Sequence, residues 1–524
     1  MKIIPAVSIV ALVLVVTAVE WCLGMSLCDG AFVYPLDDTY IHIALAKQLA
    51  VDGTWGFEPG VYAFASSSPL WTVLLALTFR CVGCHEWLPL VFSNAFAALA
   101  LWIVLEGWRR CGLTVFAQVL CGIILSFVVP FITLANLGME HALHAVCIAW
   151  LISSALRFVG GEKPCPLVAL CVSAALATAT RYETLFVVAA LTILLLGDRR
   201  WRAAVAVALS SAAPVLIYGC FSLAHGGGFL PMSMTLKTGP AGAALVNGVS
   251  GLMSNISADT IHCYLMLVLM LGCATLTSRA KGFRQIALVL AFAIVGHLVF
   301  ARLGWLYRYE SYLVLAVFML LPLFKIGAAA EQETPTDGLL RLAPLGLVAI
   351  TIFPFLARGF AANVDTVLAQ REIYEQQVQM GRIFASLPDD QKGPVAVNDL
   401  GYVVLHAGVH VLDLWGLGSD DVAKIKIAHQ MTAGRYAELL KKHDIRYAAF
   451  YINWYSPTQL SPELKPVAVL STNARVICGG RNVLLCVTRE NDITGFRNHL
   501  NQFKARLPAG SRLQFLDETG NFIN

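Results

Sequence analysis

The chain has 524 residues, of which 58% are hydrophobic and only 13% charged. That composition excludes a soluble globule and reads as a polytopic membrane protein. A net charge of +4, with Lys and Arg scattered in short clusters between apolar runs, excludes nucleic acid as a partner.

Lys2 precedes an apolar run from Ile3 to about Val19 that is longer than a signal-peptide core and lacks a small-x-small cleavage site. It reads as an uncleaved first helix. Stretches able to cross roughly 30 Å of hydrocarbon are predicted near residues 5–27, 88–107, 113–133, 140–158, 166–181, 184–197, 201–221, 259–277, 284–301, 309–326 and 341–358. The apolar segment 68–83 is too short to span and is assigned to the outer surface, which leaves about eleven spans.

Basic clusters fix the sides, because short positively charged loops stay cytoplasmic. Arg109–Arg110, Arg157 with Lys163, the Asp198 to Arg202 run and the Ser278 to Arg284 run alternate as inside loops. The loops 28–82, Asn136 to His141, Thr180 to Glu183, His225 to Asp259 and Arg302 to Arg308 then lie outside. From about residue 361 the hydrophobicity drops, and short apolar runs alternate with helical stretches near Val364 to Ala385 and Arg435 to His443. Residues 361–524 are therefore expected to form a small extracytoplasmic α/β domain, following a transmembrane domain at 1–360. That domain is expected to cover a cavity of the transmembrane domain or to help bind what enters it.

The 14 cysteines mostly fall inside apolar runs, where they behave as small hydrophobes. Cys478 and Cys486, eight apart on the outer side, are candidates for a disulfide closing a hairpin. Cys81-Val82-Gly83-Cys84-His85 matches the haem-attachment pattern C-x-x-C-H, but no second ligand region follows it, and a pair of packed thiols is the preferred reading.

The first external loop, residues 28–82, is long enough to suggest function. It opens on two adjacent carboxylates, Asp37 and Asp38, either of which can cap a helix carrying Ile41, Ala44, Leu45 and Leu49 at helical spacing. The loop continues through Gly53-Thr54-Trp55-Gly56-Phe57-Glu58-Pro59-Gly60 to Ser68-Pro69-Leu70-Trp71. Taken together, these motifs resemble the first extracytoplasmic loop of the GT-C superfamily of membrane glycosyltransferases, most closely the bacterial branch that includes the mycobacterial arabinofuranosyltransferases. Gly138-Met139-Glu140, Arg181-Tyr182-Glu183, and Leu230-Pro231-Met232-Ser233 followed by Lys237 resemble later segments of that branch, although Tyr182 and Met232 replace its Pro and Asn. Asn398-Asp399-Leu400-Gly401 and the run Val411 to Leu417 resemble its turns after the last span.

The resemblance implies an inverting transferase that moves a sugar from a polyprenyl-phosphate donor to a hydroxyl of a glycan, lipid or protein, within a bacterial cytoplasmic membrane and facing out. An alcohol is a poor nucleophile, so the reaction needs a carboxylate base, and Asp37 or Asp38 fits. Asp37 is favoured, with Asp38 as helix cap, metal ligand or acceptor contact. The departing phosphate needs cations, for which Arg181, Lys237, Arg302 and Arg308 are candidates. Glu140, His141, Glu183, Tyr40 and Ser68 are carried over as substrate contacts or, with the Asp pair, as ligands of a magnesium or manganese ion. A lipid-saccharide flippase and an inactive envelope-assembly protein are the alternatives. The flippase reading calls for repeat symmetry and mid-membrane charge, which the sequence lacks.

Overall fold

The computed structural model describes residues 4–162, 166–238, 261–277, 280–320, 335–454, 461–473, 475–517 and 522. Its first part is helical throughout. Helix α1 (Ile4–Leu27) is followed in the first loop by α2 (Asp37–Asp52) and α3 (Pro69–Val82), then by α4 (Leu88–Arg110), α5 (Val115–Val128), α6 (Phe131–Asn136) and α7 (His141–Val159). Helices α8 (Leu167–Thr180), α9 (Thr184–Gly197), α10 (Trp201–Ala224), α11 (Met232–Thr238), α12 (Ile261–Thr277), α13 (Lys281–Phe300) and α14 (Ser311–Leu320) complete the bundle with α15 (Pro335–Ile373).

Among the described residues, six helices are long and apolar enough to cross a membrane; five coincide with the expected spans at 5–27, 88–107, 140–158, 201–221 and 284–301, while the sixth, Ile350–Ala385, overlaps the expected span 341–358 only at its start. The expected spans at 113–133, 166–181, 184–197, 259–277 and 309–326 correspond to shorter apolar helices. Residues 239–260 and 321–326, and Lys163, lie outside the described residues. The segment 68–83 is helical, with Pro69 in its first turn, where the missing N–H costs nothing.

Helix α15 does not stop at residue 361. Its 39 residues run past Ile373 into a π-turn, Tyr374–Val378, and then into α16 (Gln379–Ala385), so one rod joins the bundle to the terminal domain. At about 1.5 Å per residue, α15 alone is roughly 58 Å long. Near its end, Glu372 accepts the backbone N–H groups of Val476 and Ile477, both at 2.8 Å, which ties the domain's last hairpin to the rod.

The terminal domain contains β1 (Val395–Val397), α17 (Gly401–His406), β2 (Val411–Asp413), α18 (Asp420–Ile427), α19 (Ala433–Lys442), β3 (Tyr447–Tyr451), β4 (Lys465–Thr472), β5 (Asn482–Val487), α20 (Asp492–Lys504) and β6 (Ser511–Phe515). The six strands form one sheet in the order β2-β1-β3-β5-β4-β6. The pairs β2–β1 and β1–β3 are parallel, and the rest are antiparallel. Two apolar layers cover the sheet, one headed by Phe384, Phe496 and Tyr447 and the other by Tyr436, Leu439 and Phe450. Cys478 and Cys486, the candidate disulfide pair, are both free thiols. Cys486 points into the second layer from β5, while Cys478 donates to Gln377 Oε1 at 3.4 Å. Cys81 and Cys84 are exposed free thiols at the end of α3.

A second tie joins the first loop to the domain. His410 Nδ1 lies 2.5 Å from Glu58 Oε1, His410 Nε2 lies 3.1 Å from His443 Nδ1, and His443 Nε2 lies 2.8 Å from Asp421, which also takes Lys442. The hydrogen bond to Glu58 raises the His410 pKa and, in turn, lowers that of Glu58. The tie is therefore complete below the ordinary histidine pKa and is lost as pH rises through the folded value; on the acid side it is lost as pH falls through the Glu58 value. The melting temperature of the detergent-solubilised chain is expected to fall as pH rises past neutrality, and to fall less steeply in His410→Gln. Equal slopes in the two proteins would refute the tie.

Candidate active site

Five segments far apart in sequence converge at one end of the bundle. The first turn of α2 meets the α6–α7 corner through Thr39, whose Oγ1 donates to the Leu137 carbonyl at 2.8 Å. Gly138 follows with φ +64, and a Cβ there would enter the Tyr34 ring, so the corner accepts only glycine. Tyr34 in turn binds Tyr40, whose hydroxyl accepts the Tyr34 N–H at 2.9 Å. Tyr40 thus positions the loop from a fully buried site.

Asp37 and Asp38 are neighbours in sequence but not in environment, because adjacent helical residues point about 100° apart. Asp37 is 6% exposed, and its oxygens accept the N–H groups of Gly401 (2.6 Å) and Tyr402 (2.8 Å) at the start of α17. Gly401 is needed there, since a Cβ would collide with the Asp37 carbonyl. Burial raises the Asp37 pKa and the two N–H donors pull it down, with the charge of Asp38 adding to the rise. The Asp38 side chain is 43% exposed and meets Arg308 Nη2 at 2.5 Å. The expectation that Asp37 is the base therefore meets a geometric obstacle: both of its oxygens are committed to backbone donors of another domain.

Arg308 itself is buried, with Nη1 2.8 Å from Met139 Sδ. The preceding turn presents it in an uncommon backbone. Gly304, Trp305, Leu306 and Tyr307 all have positive φ, from 54° to 86°. For the three non-glycine residues this costs roughly 1–2 kcal/mol each. Glu310 offsets that strain by accepting the Gly304 N–H at 3.0 Å while it pairs with Arg358 of α15 at 2.7 Å.

Arg181 follows α8 in extended backbone and forms a buried hub. It reaches Glu140 Oε1 and Glu183 Oε1, both at 2.6 Å, and lies 3.2 Å from His141 Nε2. His42 of α2 stands 3.6 Å from the other Glu140 oxygen. Tyr309 lies between the two cations, with the Arg308 and Arg181 guanidiniums 4.9 and 5.5 Å from its ring centre. Arg181, Arg308, Glu140, His141 and Glu183 thus gather beside Asp38.

Other candidates are held elsewhere. Ser68 is fully buried in its own turn, with its N–H on Ser66 Oγ at 3.1 Å. Arg302 is exposed on the loop after α13, and its carbonyl lies 3.1 Å from His297 Nε2. Lys237 belongs to α11, which packs on α18, and its side chain lies outside the described residues.

Among the described residues, the carboxylates gathered here are paired with arginines rather than arranged as the donor set of a divalent ion. Glu140 and Glu183 close on a guanidinium rather than on each other, and Asp38 closes on a second. An added dication would face both arginines, and among the described residues no group of three His, Cys, Asp or Glu is arranged to hold a metal. Sequence reasoning overlooked His42, Tyr309 and Gln377, and named Asp399 only as part of a turn motif. His42 was recoverable, since it lies one turn beyond Asp38 on the same helix. Asp399 also carried a signal, because ligand-facing residues collect just past the carboxyl ends of parallel strands, and it follows β1 by two.

Bundle, long first loop and terminal sheet together form a helical membrane fold with a C-terminal sheet domain. The chain is similar to the crystal structure of ArnT from Cupriavidus metallidurans bound to undecaprenyl phosphate, with a TM-score of 0.52 at 11% identity, over 92% of this chain and 98% of that one. The apo structure of the same ArnT gives 0.49 at 12% identity, over 93% and 99%. A family model described as a domain of unknown function, DUF8728, matches residues 371–487, from the end of the rod through β5. No curated protein matches the sequence.

Proposed function

We propose that the chain is a membrane glycosyltransferase that moves a sugar from a polyprenyl-phosphate donor to an acceptor hydroxyl with inversion, on the outer face of a bacterial cytoplasmic membrane. The observation that carries this reading is a half-exposed carboxylate, Asp38, beside two buried guanidiniums that flank one tyrosine ring. The carboxylate takes the acceptor proton as the new C–O bond forms at the anomeric carbon. The bond from that carbon to the phosphate oxygen breaks, and its electron pair leaves on polyprenyl phosphate. Arg308 and Arg181 stand where that charge accumulates. They are partly neutralised already, which limits the cost of keeping them buried before the donor arrives.

Two further facts support the reading. A protein of the same fold was crystallised with undecaprenyl phosphate. The basic pair Arg109–Arg110 ends α4, whose first turn touches Tyr34, so these cations lie at the opposite end of a 23-residue helix from the site. By the positive-inside rule the site then faces out. The Asp38 role replaces the one expected for Asp37.

The test is to incorporate the full chain into phospholipid vesicles and supply a panel of polyprenyl-phosphate sugars with envelope glycan or lipid acceptors. Release of free polyprenyl phosphate from at least one donor is the expected outcome. Turnover of nucleotide sugars with no turnover of any lipid-linked donor would overturn the proposal.

A further inference from the structure

Beneath the Asp pair lies a polar network that the transfer chemistry does not use directly. Asp399, just past β1, accepts from Gln377 Nε2 at 2.6 Å, and its Oδ2 lies 3.5 Å from the Tyr451 hydroxyl. Gln377 sits in the π-turn that ends the rod, and its Nε2 is also 2.9 Å from that hydroxyl. Tyr451 OH in turn donates to Gln376 Oε1. All four side chains are held inside the junction between bundle and terminal domain, and π-turns are common at functional sites. Two residues after Asp399, Gly401 donates its N–H to Asp37 at 2.6 Å, so the same turn carries both contacts.

The N–H groups of Gly401 and Tyr402, two and three residues past Asp399, are the ones the two Asp37 oxygens accept. By holding Asp399, Gln377 fixes the turn that grips Asp37. An asparagine keeps the bond from Gln377 through its amide oxygen, and a leucine loses it.

We propose that Asp399 is a positioning residue for sugar transfer: held by Gln377 and Tyr451 just past β1, it fixes the Gly401 turn that grips Asp37, and so the first turn of α2, which aims Asp38 at Arg308 and the acceptor. The inference rests on the glycosyltransferase reading. Burial, reinforced by the charge of Asp37, raises the Asp399 pKa well above the usual carboxylate range. Asp37, Asp38, Tyr451 and Cys478 are the titratable groups that act on it or feel it. Raising pH through the folded value ionises Asp399, places two carboxylates against each other and loosens the junction. Sign and direction agree, since a carboxyl with a raised folded pKa loses stability as pH rises.

The experiment compares Asp399→Asn, Asp399→Leu and Asp38→Asn in the full chain in vesicles, measuring kcat, donor KM and the pH profile with a polyprenyl-phosphate sugar as probe. Asp399→Asn is expected to keep kcat within about threefold of wild type and to lose the alkaline limb of the profile, because an amide does not ionise. Asp399→Leu is expected to lower kcat by about tenfold or more with little change in donor KM. An Asn variant as inactive as the Leu variant, a Leu variant at full rate, or an alkaline limb unmoved by Asn would each overturn the inference. If Asp38→Asn also turned over at full rate, Asp38 would fall as the base and the assignment of Asp399 with it; no turnover of any lipid-linked donor by the wild-type chain would instead overturn the glycosyltransferase reading.

Discussion

Replacing Asp38 by Asn is expected to lower kcat for sugar transfer by about 10²–10⁴-fold, the usual worth of a positioned general base. Donor binding should survive, because Arg308 and Arg181 remain in place and the amide oxygen can still accept from Arg308. The contrasting variant is Asp37→Asn. It puts an NH2 group against the N–H of Gly401 or Tyr402, so its damage should appear first as lost thermal stability. Measuring kcat and melting temperature side by side separates the two aspartates. A stable, fully active Asp38→Asn would remove it as the base.

Loss of Arg181 should give the largest effect on stability. Glu140 is fully buried, and Arg181→Ala would leave it and Glu183 without their cation. Removing one partner of a buried pair costs about 3–5 kcal/mol. Arg181→Lys keeps the charge but cannot bridge both carboxylates at once, since one ammonium replaces a planar fork. The lysine variant should fold, melt lower than wild type and bind the donor more weakly, seen as a raised donor KM with a smaller change in kcat. Unaltered melting and donor KM in both variants would show that the hub neither supports the fold nor meets the phosphate.

Much of this arrangement was legible in the sequence, for definite reasons. Apolar runs bounded by charge marked the long helices, and five strands at 395–397, 411–413, 447–451, 465–472 and 482–487 fell on the short apolar runs of the terminal region. The sixth, Ser511–Phe515, went unseen because Ser511, Arg512 and Gln514 break its apolar pattern. Arg181 read as a candidate phosphate cation, and its partners Glu140, His141 and Glu183 were named without the pairing among them. Asp37 and Asp38 could not be told apart, because the groups that distinguish them, the Gly401 N–H and the Arg308 guanidinium, lie 364 and 270 residues away. The break expected at residue 361 marks only a change in composition, and a helix can cross such a change without interruption.

That uninterrupted helix sets a register for the whole site. Arg358 holds Glu310, and with it the turn that presents Arg308; nineteen residues on, Gln377 holds Asp399, and with it Asp37. Each residue of an α-helix advances about 100° around the axis, so the phase between those two contacts is set by the number of residues that separate them. The π-turn at Tyr374–Val378 accommodates one extra residue in that count. Asp38 and Arg308, the proposed base and phosphate cation, are thereby held in phase by a single helix.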